Sequence, residues 1–439
     1  MVKFRQSALV LILALIAGGP ISLVAETYYN DFDKAPHNYY DMVLQDPVSK
    51  LARRIEAGEF SFPRPKGREL LEDLLAELDI PTSSQVLVYS KTSLQRRNIS
   101  RENPRALYFN EEVYVGWVPG GFIEIISIDP THGGVFYVLM LSDESGEPEF
   151  VQRNDCMGCH AGSFTEYLPG LMQESRYTTA DGRGIGRAEP FWPGHGIPLK
   201  DRWGGWFVTG EHGLQGHLGN AVASRTSDGI QVDLQAHAVL PNLDGVFDTK
   251  LHLGAGKSDI LALLLHDHQV GFHNQIMENH YRVRSMLNAV NASSPAAEAK
   301  ELTPEQDKEL TAQIEQFLKY TLFTEHPPLD GGIQKTDEAF REVFLSRAIL
   351  TPEGESLRDL DLSSGGSVFR NRLSYMIYSD AFVELPQRFR HRYFGRMGQI
   401  LTAADPGEAF HHLGAEEKSR IARIVAATID DLPAGWPSF

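Results

Sequence analysis

Two cysteines stand in a chain of 439 residues, three positions apart, at Cys156 and Cys159. No disulfide framework can be built from them. The fold therefore has to be held by a buried apolar core, which a chain of this length can supply. A histidine follows at once, giving Cys156-Met157-Gly158-Cys159-His160. Two thiols three residues apart lie on one side of a helical turn. They can add to two vinyl groups along one edge of a porphyrin. The adjoining imidazole then stands under the ring and offers a nitrogen to iron. This C-x-x-C-H spacing is that of covalent c-type haem attachment. On this reading Cys156 and Cys159 carry one haem c, and His160 is its proximal axial ligand.

Two other chemistries use paired cysteines. A thioredoxin-like redox pair sits between a strand and a helix of a compact α/β unit. Here charged residues 149–155 precede the pair and Ala161-Gly162-Ser163 follows it. A structural zinc site needs four ligands, and the chain has no further cysteine.

The chain opens with Lys3 and Arg5, an apolar run over residues 8–17, Gly18-Gly19-Pro20 and a small residue at Ala25. The run is about half the ~20 residues that cross a bilayer. The pattern is that of a Sec-type signal peptide over residues 1–25, with an uncleaved anchor as the alternative. The mature chain is expected to be exported or periplasmic, without stable membrane insertion. Lys plus Arg total 41 against 58 Asp plus Glu, a formal charge of −17. Such a body repels nucleic acid and suits a basic protein partner.

The pattern of the chain predicts an α+β fold. Residues 26–150 form a mixed helix and antiparallel-sheet domain. Residues 151–250 form a loop-rich haem-binding segment, and residues 251–439 a mainly helical domain. Apolar spacing predicts a helix over 70–78. Short β-rich runs at 86–89, 113–117, 122–128 and 135–141 are separated by turn residues and read as hairpins. A strand is expected over 230–240. Ser258 is read as the cap of a helix running towards Val290, and Thr303-Pro304-Glu305-Gln306 as a capping box. Further helices are expected over 337–349, 367–379 and 416–430.

The motif makes the chain resemble a monohaem c-type cytochrome. More broadly, it is similar to a family of exported bacterial proteins with a single C-x-x-C-H motif. Residues 84–116, 155–170, 202–220, 268–284 and 374–379 carry that likeness. It implies covalent haem c and redox chemistry at iron. The chain departs from a small class I cytochrome, which needs far fewer residues.

The opposite face of the iron decides the chemistry: a second side-chain ligand suits electron transfer, and an open position permits ligand binding. Met172, 12 residues beyond His160, can wrap the ring. The favoured reading is an apolar core residue beside Leu168 and Leu171. His212 and His217 lie in a glycine-rich stretch, as candidates or as solvated turn residues, and His195 is a weaker candidate. His266, His273 and His280 recur every seven residues on one helix face. At most one of them can meet an iron, and His273 is central. Trp203 and Trp206 are candidates for packing on the porphyrin or in the core. Three functions remain open: a periplasmic electron carrier with a redox partner protein, a haem enzyme of peroxidase or oxidase type, and a haem-based ligand sensor.

Overall fold

In the computed structural model the described residues are 28–143, 145–188, 193–214, 216–233, 240–292, 301–324, 326–363 and 365–437. The signal-peptide reading of residues 1–25 falls outside them, as does most of the strand expected over 230–240.

Runs rich in β-branched and aromatic residues build a six-stranded antiparallel sheet in simple sequential order. Its strands are β1 (Val86–Val88), β2 (Arg105–Phe109), β3 (Val113–Trp117), β4 (Ile123–Asp129), β5 (Gly133–Leu141) and β6 (Pro148–Gln152). Successive side chains point to opposite faces, and each face has its own core. On one face Leu87, Tyr108, Val115, Ile125 and Tyr137 meet Leu51, Leu71 and Leu74. Those leucines come from α1 (Pro47–Glu56) and α2 (Gly67–Glu77). Asp46 caps α1, accepting from the amides of Val48 and Ser49 at 3.0 and 3.1 Å. The Tyr137 hydroxyl donates to the same carboxylate at 2.9 Å and ties the cap to the sheet.

The other face meets the helical part. Val86, Val88, Phe109, Tyr114 and Ile128 share one core with Ile260, Leu264, Ile276 and Phe317. Apolar packing is thus continuous from the N-terminal sheet into the C-terminal helices. Its spine is α4 (Ile260–Ala292), 33 residues long. Around it stand α5 (Pro304–Thr321), α6 (Glu338–Ser346), α8 (Gln387–Thr402) and α9 (Ala415–Thr428), with the single turns α3 (Met157–His160) and α7 (Asp380–Val383). Between sheet and helices, the described part of residues 161–259 carries short strands, β7 (Arg176–Thr178), β8 (Gly184–Arg187), β9 (Glu211–His212), β10 (Val222–Thr226) and β11 (Gly229–Asp233), and a few 3-10 turns. β9 pairs with the later β12 (Ile333–Lys335). The protein is α+β, with its antiparallel sheet in the N-terminal half and helices dominating the C-terminal part.

Two local expectations are corrected. Asp259, not Ser258, caps α4, its carboxylate accepting from the Leu261 amide at 3.0 Å. Ser258 instead bridges the Leu87 amide and the Phe207 carbonyl. Residues 367–379 form no α-helix among the described residues. They run as bends and a bridge from Phe369 to Leu360 into a 3-10 turn at Tyr375–Tyr378. Apolar side chains are dense there because the segment is buried, not because it is periodic. The capping box at Thr303 forms with both reciprocal bonds.

Candidate haem-attachment site

The cysteine pair begins where the sheet ends. Just past β6 the Arg153 amide still donates to the Phe136 carbonyl at 2.8 Å. The chain then enters a 3-10 turn at Asn154–Cys156 that runs directly into α3. Both cysteines therefore stand in helical backbone and share one side of the turn. Met157 is buried with Tyr39 and Phe136 and anchors the turn to β5. Cys156 is half-buried, Cys159 is exposed, and both are free thiols. Burial, with the charge of Asp155, pushes the Cys156 thiol up to about 11.

His160 is held more tightly than its neighbours. Its Nδ1 lies 3.0 Å from the Gly170 carbonyl oxygen. A carbonyl only accepts, so Nδ1 carries the proton and the neutral ring keeps its lone pair on Nε2. Burial lowers the ring's proton affinity to about 4, against the Gly170 bond that raises it, so the imidazole is neutral at pH 7. The ring leans on Phe136, centroids 4.6 Å apart. The Gly170 amide and the Thr165 hydroxyl both return to the His160 carbonyl, at 2.9 and 3.1 Å.

This loop is docked on two elements. The Asn274 side chain on α4 accepts from the Leu171 amide at 2.8 Å and donates to its carbonyl at 2.9 Å. The Gly134 amide donates to the Pro169 carbonyl at 3.0 Å. The approach depends on Gly133, at φ +90, where a Cβ would stand 2.4 Å from that same carbonyl oxygen. The orienting carbonyl is thus part of a rigid support, the arrangement that aims metal-ligating imidazoles.

Two free thiols on one side of a helical turn, followed by an imidazole with Nε2 unprotonated, fit a covalent haem. The pair follows an antiparallel sheet and opens a four-residue helix, not the long helix of a parallel α/β redox unit. Among the described residues no three His, Cys, Asp or Glu gather as a metal set.

On the same sheet face as Phe136 lie Arg105 and Leu107 of β2, Gly116 of β3, and Glu124 and Ile126 of β4. Leu107 and Ile126 are only half-buried. Arg105 pairs with Glu124 at 3.3 Å, and its Nε is buried without a partner. Trp206 donates its indole N–H to the Glu174 carbonyl at 2.9 Å, and its ring neighbours that of His266 at 5.8 Å.

The other sequence candidates have their own settings. Met172 lines a small cavity with Phe164, Trp203, Trp206 and Asp267. Trp203 donates to the Asp267 carboxylate at 3.1 Å. His217 accepts from the Gly219 amide at 3.1 Å, with its ring beside Trp203 and His212. His212 lies in β9 against Ile333, and its Nδ1 is buried without a partner. His273 donates from Nε2 to the Glu111 carbonyl at 2.8 Å. His195 is sandwiched with His268, Tyr320 and Phe323. Arg105 and Gly170 had no signal in the sequence, because a sheet register and a backbone carbonyl bring them to the site. His266 had the heptad spacing as its only signal.

Compared with known proteins, the chain matches no protein-family model, no curated protein and no solved structure.

Proposed function

We propose that this chain is a periplasmic monohaem c-type cytochrome-like protein. It transfers electrons through one haem c joined to Cys156 and Cys159, with His160 as proximal ligand. The observation that carries this reading is the Nδ1 bond of His160 to the Gly170 carbonyl, which leaves Nε2 the lone-pair nitrogen beside two free thiols. When bound, haem c supplies an iron that gains and loses one electron. Met157 and Phe136 seat the turn that presents the thiols, and the loop 161–170 holds the imidazole. Cys159 is exposed, so a porphyrin edge attached there lies near the surface, within reach of a docked partner. The net charge of −17 suits a basic redox partner, and the basic, apolar, small-residue order of residues 1–25 supports export. No helix among the described residues is long and apolar enough to cross a membrane. A haem enzyme or a haem-based ligand sensor is the alternative, separated from the carrier by whether the second axial position is open.

The test is expression in a host that matures c-type cytochromes. The mature polypeptide should gain the mass of one haem and give the two-thioether pyridine haemochrome spectrum. Cys156→Ala with Cys159→Ala should abolish both. A wild-type protein left colourless after acid-acetone extraction, at the mass of the bare chain, would end the proposal.

A further inference from the structure

Two helices of the C-terminal half turn matching stripes towards one another. On α4 the stripe is Gly271, Asn274, Gln275, Glu278, Asn279 and Arg282. On α5 it is Glu309, Ala312, Gln313, Gln316, Phe317 and Tyr320. Both follow the spacing i, i+3, i+4, i+7, i+8, i+11 of a single helix face. At one end a Cβ on Gly271 would meet the Tyr320 hydroxyl, and at the other Arg282 stands 3.7 Å from Glu309. The helices therefore run antiparallel. Between those ends they leave a trough of about 640 Å³, lined also by Phe164, Thr165, Glu166 and Ile197. At a rise of 1.5 Å per residue, the span from Gly271 to Arg282 makes it about 16 Å long. Ligand clefts have volumes of this order.

The polar groups of this trough fall into two sets. Some are committed to the fold. Asn274 holds Leu171 through both ends of its amide. Arg282 pairs with Glu278 at 2.8 Å and donates to the Tyr29 hydroxyl at 2.8 Å. The carboxamides between them are uncommitted. Gln313 donates from Nε2 to Glu309 at 3.3 Å, but its Oε1 is buried without a partner. The side chains of Gln275 and Gln316 make no hydrogen bond among the described residues. A buried carbonyl oxygen left bare costs stability unless something meets it. The trough is also separate from the cysteine turn. The charges that bear on Cys156 and His160 come from Arg105, Glu124, Arg153, Asp155 and Glu174, and none of these lines it.

The lining selects its ligand by elimination. Glu166, Glu278 and Glu309 stand against one guanidinium that is already engaged, so an anion is repelled. A polyamine only donates, and would leave the amide N–H groups of Gln275 and Gln316 without acceptors. A peptide is bound along a free strand edge or in an apolar helix groove, and this trough is walled by polar helix faces. Sugar hydroxyls both donate and accept, as carboxamides do. The C–H faces of sugar rings suit the half-buried aromatic rings of Phe164 and Tyr320. We infer that the trough between α4 and α5 binds a linear, uncharged oligosaccharide of about three pyranose rings, the number its length admits. Gln275, Gln313 and Gln316 read the hydroxyls. This site goes beyond electron transfer and does not depend on the haem reading.

The experiment titrates chitotriose, cellotriose and maltotriose in turn into the purified full chain by calorimetry, up to millimolar sugar, with spermidine and tetraglycine as comparisons. At least one trisaccharide should bind saturably. Gln275→Ala and Gln316→Ala should each weaken it about tenfold. Ala312 is exposed on the trough wall, so Ala312→Trp should block the trough and abolish binding with the thermal midpoint unchanged. If the tryptophan variant fails to fold, the two glutamine variants decide. Binding of none of the three sugars overturns the inference. So does binding of spermidine or tetraglycine in their place, or sugar affinity unchanged in the folded variants. The Cys156→Ala, Cys159→Ala double variant should bind the sugar as the wild type does, which keeps this result apart from any failure of haem attachment.

Discussion

At the scale of single residues, the buried polar groups in the middle of this protein are stabilising only as sets. Arg202 and Asp267 pair at 3.2 Å with side chains 1% and 2% exposed. Asp267 also accepts from Trp203 and Gln173, while Arg202 donates to the carbonyls of Ile197 and His195. Burial pushes the Asp267 carboxyl up, and the Arg202 charge opposes it. Removing one member leaves the other charged and dry. Asp267→Ala should therefore cost about 3–5 kcal/mol in urea unfolding. Replacing both residues by apolar groups of similar volume should cost clearly less. Equal losses would show that the pair, and not the stranded charge, is what matters. His160 teaches a related lesson. The motif singled it out, but the partner that orients its ring, the Gly170 carbonyl, belongs to the backbone and leaves no mark in the side-chain pattern.

At the scale of elements, α4 shows both what periodicity reveals and where it fails. The heptad of His266, His273 and His280 lies along one helix face. The structure sends these rings to Phe109, to the Glu111 carbonyl and to the Ala381 carbonyl in turn. Spacing placed the three on one face but could not say what each would meet, because that depends on where the sheet and the later helices lie. Gly271 is a second case. Alanine is the better helix former by about 1 kcal/mol. Here its Cβ would stand 2.7 Å from the Gly194 Cα and 2.9 Å from the Pro193 carbonyl oxygen. Backbone cannot step aside as a flexible side chain does, so steric overlap wins. Gly271→Ala should lower stability by about 1–3 kcal/mol, seen as a lower thermal midpoint. A midpoint unchanged or raised would mean that the crossing of α4 and the 193–194 segment is looser than it stands. The helix expected over 367–379 failed for the opposite reason: dense apolar residues there signal burial, and burial alone does not select a period.

On the scale of the whole molecule, the core joins β1–β4 to α4, α5 and α8, so acid sensitivity should be global. Burial lowers His266, His268, His280 and His326 to about 3, and His273 to about 4. These rings are neutral in the fold and titrate near 6.5 once unfolded. The unfolded chain then binds more protons below 6.5, so the stability their neutrality preserves is complete above that value and is lost as pH falls towards 4. Each contributes up to about 1.4 kcal/mol per pH unit in that window. Urea midpoints should fall steeply and cooperatively from pH 7 to pH 5, and a flat profile would contradict the burial of these imidazoles. Much of this architecture was legible in the residues. β-rich runs and turn residues marked four of the six strands, and helical spacing and the capping box marked α2, α4 and α5, which together gave the α+β class. The C-x-x-C-H motif marked the turn proposed to hold haem, because that chemistry needs fixed neighbours along the chain. What no residue order could disclose is that His160 leans on Phe136, and that Arg105 of β2 lies on the same sheet face. That placement is set by strand register, not by local spacing.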